Sequence, residues 1–155
     1  MVTIIKGNLL DAREDILVHQ VNCQGAMGSG VALAIKEKWP LVYKWYKKRC
    51  DTAKGMHLED KLLGDTHWCQ IDGKWIVNLF GQLYYGNDGK QYTDYDALRR
   101  GLTDIFKHAE MYHESVAMPH GIGCGAGGGD WYGVVLPMIV ELSDEYGVEV
   151  KLYQL

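Results

Sequence analysis

The residues best placed to do chemistry in this chain form two glycine clusters, Gly25-Ala26-Met27-Gly28-Ser29-Gly30 and Gly121-Ile122-Gly123-Cys124-Gly125-Ala126-Gly127-Gly128-Gly129. Together they hold nine of the 19 glycines. Glycine has no side chain to keep a ligand off the backbone, so N–H groups can close around an anion. A helix N-terminus just beyond each cluster would add a positive dipole end suited to phosphate. Two such loops read as a clamp for a diphosphate. The alternative is that both are tight turns.

Familiar phosphate motifs narrow the choice. Gly25-x4-Gly30 is followed by Val31-Ala32 and not by the Lys-Ser or Lys-Thr of a triphosphate-binding loop. Gly123-x-Gly125-x-x-Gly128 matches a dinucleotide fingerprint in form, but only one strand is expected after it, too few for a dinucleotide-binding half. Cys124 lacks the arginine that a cysteine phosphatase places six residues on, since that position is Asp130. Cys124 therefore reads as a small filler. His57, His67, His108 and His113 show no metal-ligand spacing, and no cofactor is implied.

These loops need elements to hold them. Val2–Lys6 and Asp15–Val21 read as strands, and Val31–Lys38 as a helix ended by Pro40, with a second helix restarting over Leu41–Arg49. Thr66–Ile71 and Lys74–Phe80 flank Asp72-Gly73, a dipeptide suited to a two-residue antiparallel hairpin. Thr93 is expected to cap a helix over Asp94–His113. Ser115–Pro119 is a strand entering the second cluster. Asp130 caps Trp131–Tyr146, in which Pro137 should make a kink, and Val148–Leu155 is the last strand. The alternation implies an α/β fold with a mixed sheet covered on both faces, and both glycine clusters leave the carboxyl ends of strands, where such folds bind ligands.

The 155 residues fit a single domain, 1-155, with 47% hydrophobic and 23% charged residues. Net charge is −4, so the general attraction of a basic domain for nucleic acid or an anionic membrane is missing. The Lys44–Arg49 run reads as a solvated helix face. The start lacks a signal-peptide pattern and no apolar run approaches spanning length, which points to the cytoplasm. Cys23, Cys50, Cys69 and Cys124 form no C-x-x-C pair and read as reduced thiols.

Lys6-Gly7-Asn8-Leu9-Leu10, Ile16 through Ala32, Met118-Pro119 with Ile122-Gly123-Cys124-Gly125, and Asp130-Trp131 together resemble the macro domain over nearly the whole chain. The resemblance implies a three-layer α/β/α fold with a mixed central sheet that binds ADP-ribose or its derivatives. Within the family, the short length and the Gly-Ala-Met-Gly-x-Gly loop resemble the branch of terminal ADP-ribose protein glycohydrolase, DNA ADP-ribosyl glycohydrolases and yeast-type ADP-ribose 1″-phosphate phosphatase. The glycohydrolases use a lysine after the central hairpin, and the protein-directed enzyme adds an aspartate in the second loop. Here Asn78 to Gly86 contains no lysine before Lys90, and Gly127 stands at the aspartate position. Both absences favour the phosphatase reading. An ADP-ribosyl hydrolase acting on protein or nucleic acid, and a non-catalytic ADP-ribose reader, are the alternatives.

The resemblance implies the following site. Adenine lies near Asn8 and Leu9, with Tyr153 and Leu155 as a wall, although Asn8 could equally only form a turn. Met27, Gly28, Ser29 and Gly30 face Gly121, Ile122, Gly123, Cys124, Gly125, Ala126 and Gly127 across the diphosphate. Asn22 reaches the distal ribose. His19 is a candidate acid or base, because an unperturbed histidine titrates near neutral pH. Asp130 orients water or caps a helix. Tyr84, Tyr85 and Tyr92 could form a lid, and His120 could face phosphate.

Overall fold

A computed structural model describes all residues, Met1–Leu155. The chain folds into β1 (Val2–Lys6), β2 (Ile16–Asn22), α1 (Gly30–Lys38), α2 (Pro40–Gly55), β3 (Thr66–Ile71), β4 (Lys74–Gln82), α3 (Tyr95–Tyr112), β5 (Val116–Pro119), α4 (Leu136–Tyr146) and β6 (Val150–Gln154). The strands form one six-stranded sheet in the order β1-β6-β5-β2-β4-β3. All neighbours are parallel except β3 and β4. Those two are joined by the expected hairpin, in which Asp72 and Gly73 take φ values of 52° and 74°, the double positive φ that a tight antiparallel turn requires.

Helices cover both faces, which explains why the central strands carry apolar residues on both sides. Residues of β2 and β4 alternate between the two layers. Ile16, Val18, Val77 and Leu79 pack on Leu98, Leu102, Ile105 and Phe106 of α3 and Ile139 of α4. Leu17 and Ile76 face the other way, onto Ile35 of α1 and Val42 of α2. Val21 and Phe80 meet Tyr46 and Cys50 of α2 at the carboxyl end of the same face. The four cysteines are unpaired. No helix is long and apolar enough to cross a membrane.

Two local expectations are corrected. Asp94, not Thr93, caps α3, its carboxylate accepting from Ala97 N–H at 3.0 Å. Thr93 is instead turned toward the second glycine loop. The helix over Trp131–Tyr146 is not uniform: a widened π turn over Trp131–Val135, closed by Leu136 N–H on Trp131 O, runs directly into α4, and Pro137 falls in the first turn of α4.

Candidate functional site

The two glycine loops lie side by side because β2 and β5 are parallel neighbours, with Ile16 opposite Val116 and Leu17 opposite Ala117. Continuing that register brings Pro119, where β5 stops, beside His19. The second loop thus begins three residues below the end of β2, and His19 becomes part of the floor. A cleft of about 550 Å³ opens there, lined by the end of β2, by Gly28 to Ala32, by Gln82, Tyr85 and Gly86, and by Pro119 to Gly127 except Cys124. Gly30, Val31, Pro119 and His120 also line a second cavity, of about 560 Å³, whose far walls are Asn8, Leu9, Tyr153 and Leu155. The two cavities share that wall and form one elongated cleft. No Asp, Glu, Lys or Arg side chain lines either half.

Attraction for an anion must therefore come from the backbone. In the second loop the N–H groups of Gly121, Gly123, Gly125, Ala126 and Gly127 donate to no protein acceptor. Cys124, expected among the donors, is not one of them, because its N–H closes the loop on Gly121 O at 2.8 Å. Its Sγ turns to Ile122 O, and burial pushes the thiol pKa up to about 11, the state of a filler and not of a nucleophile. On the facing side, Gly30, Val31 and Ala32 form the open first turn of α1, and Ser29 makes no side-chain capping bond. The other expected helix end is not free: Asp130 Oδ1 accepts from Gly133 N–H at 2.9 Å, so this carboxylate occupies that N-terminus and stands outside the cleft.

Gly123 has φ 75°, and an added Cβ would come 2.9 Å from Gln20 Oε1 and 3.2 Å from Thr93 Oγ1. These contacts show what supports the loop. Gln20 Nε2 donates to Gln82 Oε1 at 2.7 Å and to Thr93 Oγ1 at 2.8 Å, and Thr93 Oγ1 donates to Gly123 O at 2.6 Å. Thr93 N–H and Tyr92 N–H also donate to Gly127 O. Gln20 and Gln82 were not singled out in the sequence. A signal existed, because Gln20 shares with Asn22 the exception to an otherwise apolar strand face.

Asn22 is buried and committed to the first loop. Its Oδ1 accepts from Gln24 N–H, Ala26 N–H and the Tyr46 hydroxyl, and its Nδ2 donates to Ala26 O at 2.9 Å. One Nδ2 proton remains to offer a ligand. Met27 does not reach the cleft; it is buried among Val21, Tyr46 and Phe80. Asn8 Oδ1 accepts from Leu10 N–H at 3.0 Å and makes a turn, and the residue also lines the second cavity. Tyr153 donates its hydroxyl to Glu14 at 2.6 Å while its ring lines that cavity. Of the three tyrosines, Tyr85 lines the cleft, whereas Tyr92 bonds Asp88 and ties down its own loop. His120 packs against Trp131 in a tilted arrangement, ring centroids 4.8 Å apart and planes at 56°, at the junction of the two cavities.

His19 differs from its expected state. It is 1% exposed, and its Nε2 lies 2.5 Å from Asn78 Oδ1. Asn78 Nδ2 in turn faces His67 Nδ1 at 3.1 Å. This chain makes His19 the Nε2–H tautomer and leaves Nδ1 as a buried acceptor without a protein partner. Burial lowers its pKa to about 4, against the smaller opposing effect of the Asn78 hydrogen bond. His19 is neutral at physiological pH, so it is no acid and only a weak base. Lys90 lies outside the cleft beside Asp88, and at Gly127 a Cβ would come 2.6 Å from Thr93 Oγ1, leaving no room for an acid.

A family model described as Macro domain matches residues 18–136. The chain is 32% identical over 156 residues to a DNA ADP-ribosyl glycohydrolase of Mycobacterium tuberculosis, covering 99% of this chain and 42% of that protein. It thus spans about two fifths of the length of that curated relative. An ADP-ribose 1″-phosphate phosphatase of Ajellomyces capsulatus is 43% identical over 51 residues, 32% of this chain and 20% of the other. Among solved structures, the macrodomain of Mycobacterium tuberculosis DarG superposes with a TM-score of 0.78 and 28% identity, covering 100% of this chain and 98% of that one.

Proposed function

The chain belongs to the macro domain family, and from that premise we propose that it binds ADP-ribose and hydrolyses ADP-ribose 1″-phosphate to ADP-ribose and inorganic phosphate. The observation that carries this reading is a two-chambered cleft with free loop amides and no charged side chain in its lining. The adenosine half fits the chamber of Asn8, Leu9 and Tyr153, the diphosphate fits the amides of the second loop and the open turn of α1, and the distal ribose lies by Asn22.

The same lining bears on the reaction. Water attacking C1″ breaks the C1″–O bond and releases phosphate, a leaving group already ionised near neutral pH, so no strong acid is needed. Loop amides stabilise charge that collects on the departing oxygens. His19 Nδ1 is buried beneath the floor and does not reach solvent, so the attacking water comes from the open cleft and its proton passes to solvent or to the released phosphate. A more basic leaving group would need a proton supplied as it departs, and no carboxylic acid or lysine lines the cleft to supply it.

The second reading is removal of ADP-ribose from nucleic acid. It is favoured by a likeness to a DNA ADP-ribosyl glycohydrolase that runs over 99% of this chain, against a likeness to a phosphatase over 32% of it. A side-by-side assay separates them. Phosphate release from ADP-ribose 1″-phosphate without loss of label from ADP-ribosylated DNA is the expected result; the reverse pattern establishes the second reading. Binding with neither turnover makes the domain a reader, and no heat of ADP-ribose binding by calorimetry overturns all of these.

A further inference from the structure

Net charge averages over a surface, and on this chain the average conceals a separation. Eight of the 16 Lys and Arg but only four of the 20 Asp and Glu lie between residues 36 and 61, giving that segment a net charge of +4 while the rest of the chain carries −8. Most of these cations ride on α2. Lys44, Lys48, Lys54 and Lys61 are exposed and pair with no carboxylate, whereas Lys47 and Arg49 pair with Asp51 and Asp65.

The same segment holds a groove of about 620 Å³ between α2, the turn that follows it and the β3 edge, lined by Trp45, Lys48, Arg49, Met56, Leu58 and Lys61 among others. Trp45 is 38% exposed, Leu58 41% and Met56 63%. An indole face flanked by unpaired ammonium groups in a concave surface matches the two needs of a single nucleic-acid strand, a platform on which a base stacks and cations that follow the phosphates. An acidic peptide would use the cations but leave the indole idle. A lipid surface is too flat to enter the groove.

Placement adds to the argument. The opposite side of α2 borders the first glycine loop, where Lys54 Nζ donates to Gln24 O at 3.2 Å and the Tyr43 hydroxyl to Gly25 O at 3.4 Å. Gln24 Nε2 also donates to Leu83 O, so this border lies at the Asn22 and Tyr85 end of the cleft. One cationic helix therefore joins the groove to the cleft rim.

We propose that the groove of Trp45, Lys48 and Lys61 is a binding site for single-stranded nucleic acid, distinct from the ADP-ribose cleft. The inference goes beyond the catalytic reading and does not depend on which group leaves C1″. Fluorescence anisotropy of a labelled oligothymidylate strand at low salt tests it. The wild-type protein should bind, the Lys48→Glu/Lys61→Glu double variant at least about tenfold more weakly, and Trp45→Ala about fivefold more weakly. Each single Lys→Ala change should lower the slope of log affinity against log salt by about one.

ADP-ribose calorimetry on the same variants should be unchanged, which separates a failed groove from a failed cleft or a failed fold. The proposal is overturned by absence of oligonucleotide binding, by binding that these variants leave intact, or by equal affinity for polyglutamate or for phosphatidylserine vesicles.

Discussion

His19 and Asn78 stand on neighbouring parallel strands, and the 2.5 Å contact between His19 Nε2 and Asn78 Oδ1 sets the histidine's tautomer and buries it in neutral form. Its pKa falls from 6.5 to about 4. Between those values the unfolded chain binds more protons than the folded one, so stability rises with pH across that window and is lost as pH falls through it. The shift corresponds to about 3 kcal/mol at full extent. His67, also lowered by burial, adds in the same direction. Denaturant unfolding from pH 7 to pH 4 should show a shallower loss for His19→Gln than for the wild type; parallel curves would show that His19 is not the group responsible.

The same geometry bears on turnover. His19 stays neutral down to its pKa of about 4, so in the proposed reaction phosphate release should hold from pH 8 to about pH 5 and decline below that as a charge enters the floor beneath the loops. A decline above pH 6.5 would mean that the imidazolium form is the active one. His19→Ala should lower kcat by loosening the floor while leaving ADP-ribose affinity within about twofold, because the proposed diphosphate site lies elsewhere.

Gly125 offers a clean test of the anion clamp. Its φ is not in the positive range and a Cβ there meets nothing within 4 Å, unlike Gly123, where any side chain strains the backbone and presses on Gln20. Gly125→Glu should weaken ADP-ribose binding by about 3 kcal/mol, roughly 100-fold, through like-charge repulsion, with the melting temperature unchanged. Calorimetry reads the first and thermal unfolding the second. Undiminished affinity would show that this loop does not hold the diphosphate.

Thr93 ties the second loop to the sheet. Thr93→Val removes the donor to Gly123 O and leaves one Gln20 Nε2 proton without an acceptor, at a cost of about 1–3 kcal/mol in unfolding free energy. The distorted loop should also lose affinity for ADP-ribose. Thr93→Ser, which keeps the hydroxyl, should restore most of both.

Asp130 separates a cap from a catalyst. Asp130→Ala should cost about 1 kcal/mol, and Asp130→Asn much less, because asparagine caps equally well. Both should retain phosphate release, since the carboxylate does not line the cleft. Abolition of turnover in Asp130→Asn at unchanged stability would show that the carboxylate takes part in the reaction.

Much of the architecture was legible because its causes are local. A hairpin at Asp72-Gly73, apolar runs at β2 and β4, and glycine loops leaving strand ends each follow from residues close in sequence. The miscast positions show the opposite. Thr93 and Asp94 are both good caps, and it is partners distant in sequence, Gln20, Gly123 O and Gly127 O, that hold Thr93 away. Met27 sits within a glycine-rich loop, yet the pocket formed by Tyr46 and Phe80 takes its side chain inward.

Backbone preference and hydrophobic period act over a few residues, so the alternation of strands and helices, the two glycine loops and their place at strand ends could be read from the chain alone. Which groups face the cleft, and in what protonation state, depended on neighbours brought together by the fold. His19 owes its tautomer to Asn78, 59 residues away, Asn22 is largely consumed by its own loop, and the cations of α2 gather beside an exposed Trp45 on a chain whose net charge is negative. Desolvation, hydrogen-bond partnership and local electric field are sums over spatial neighbours, and the chain acquires those neighbours only when the sheet order is set.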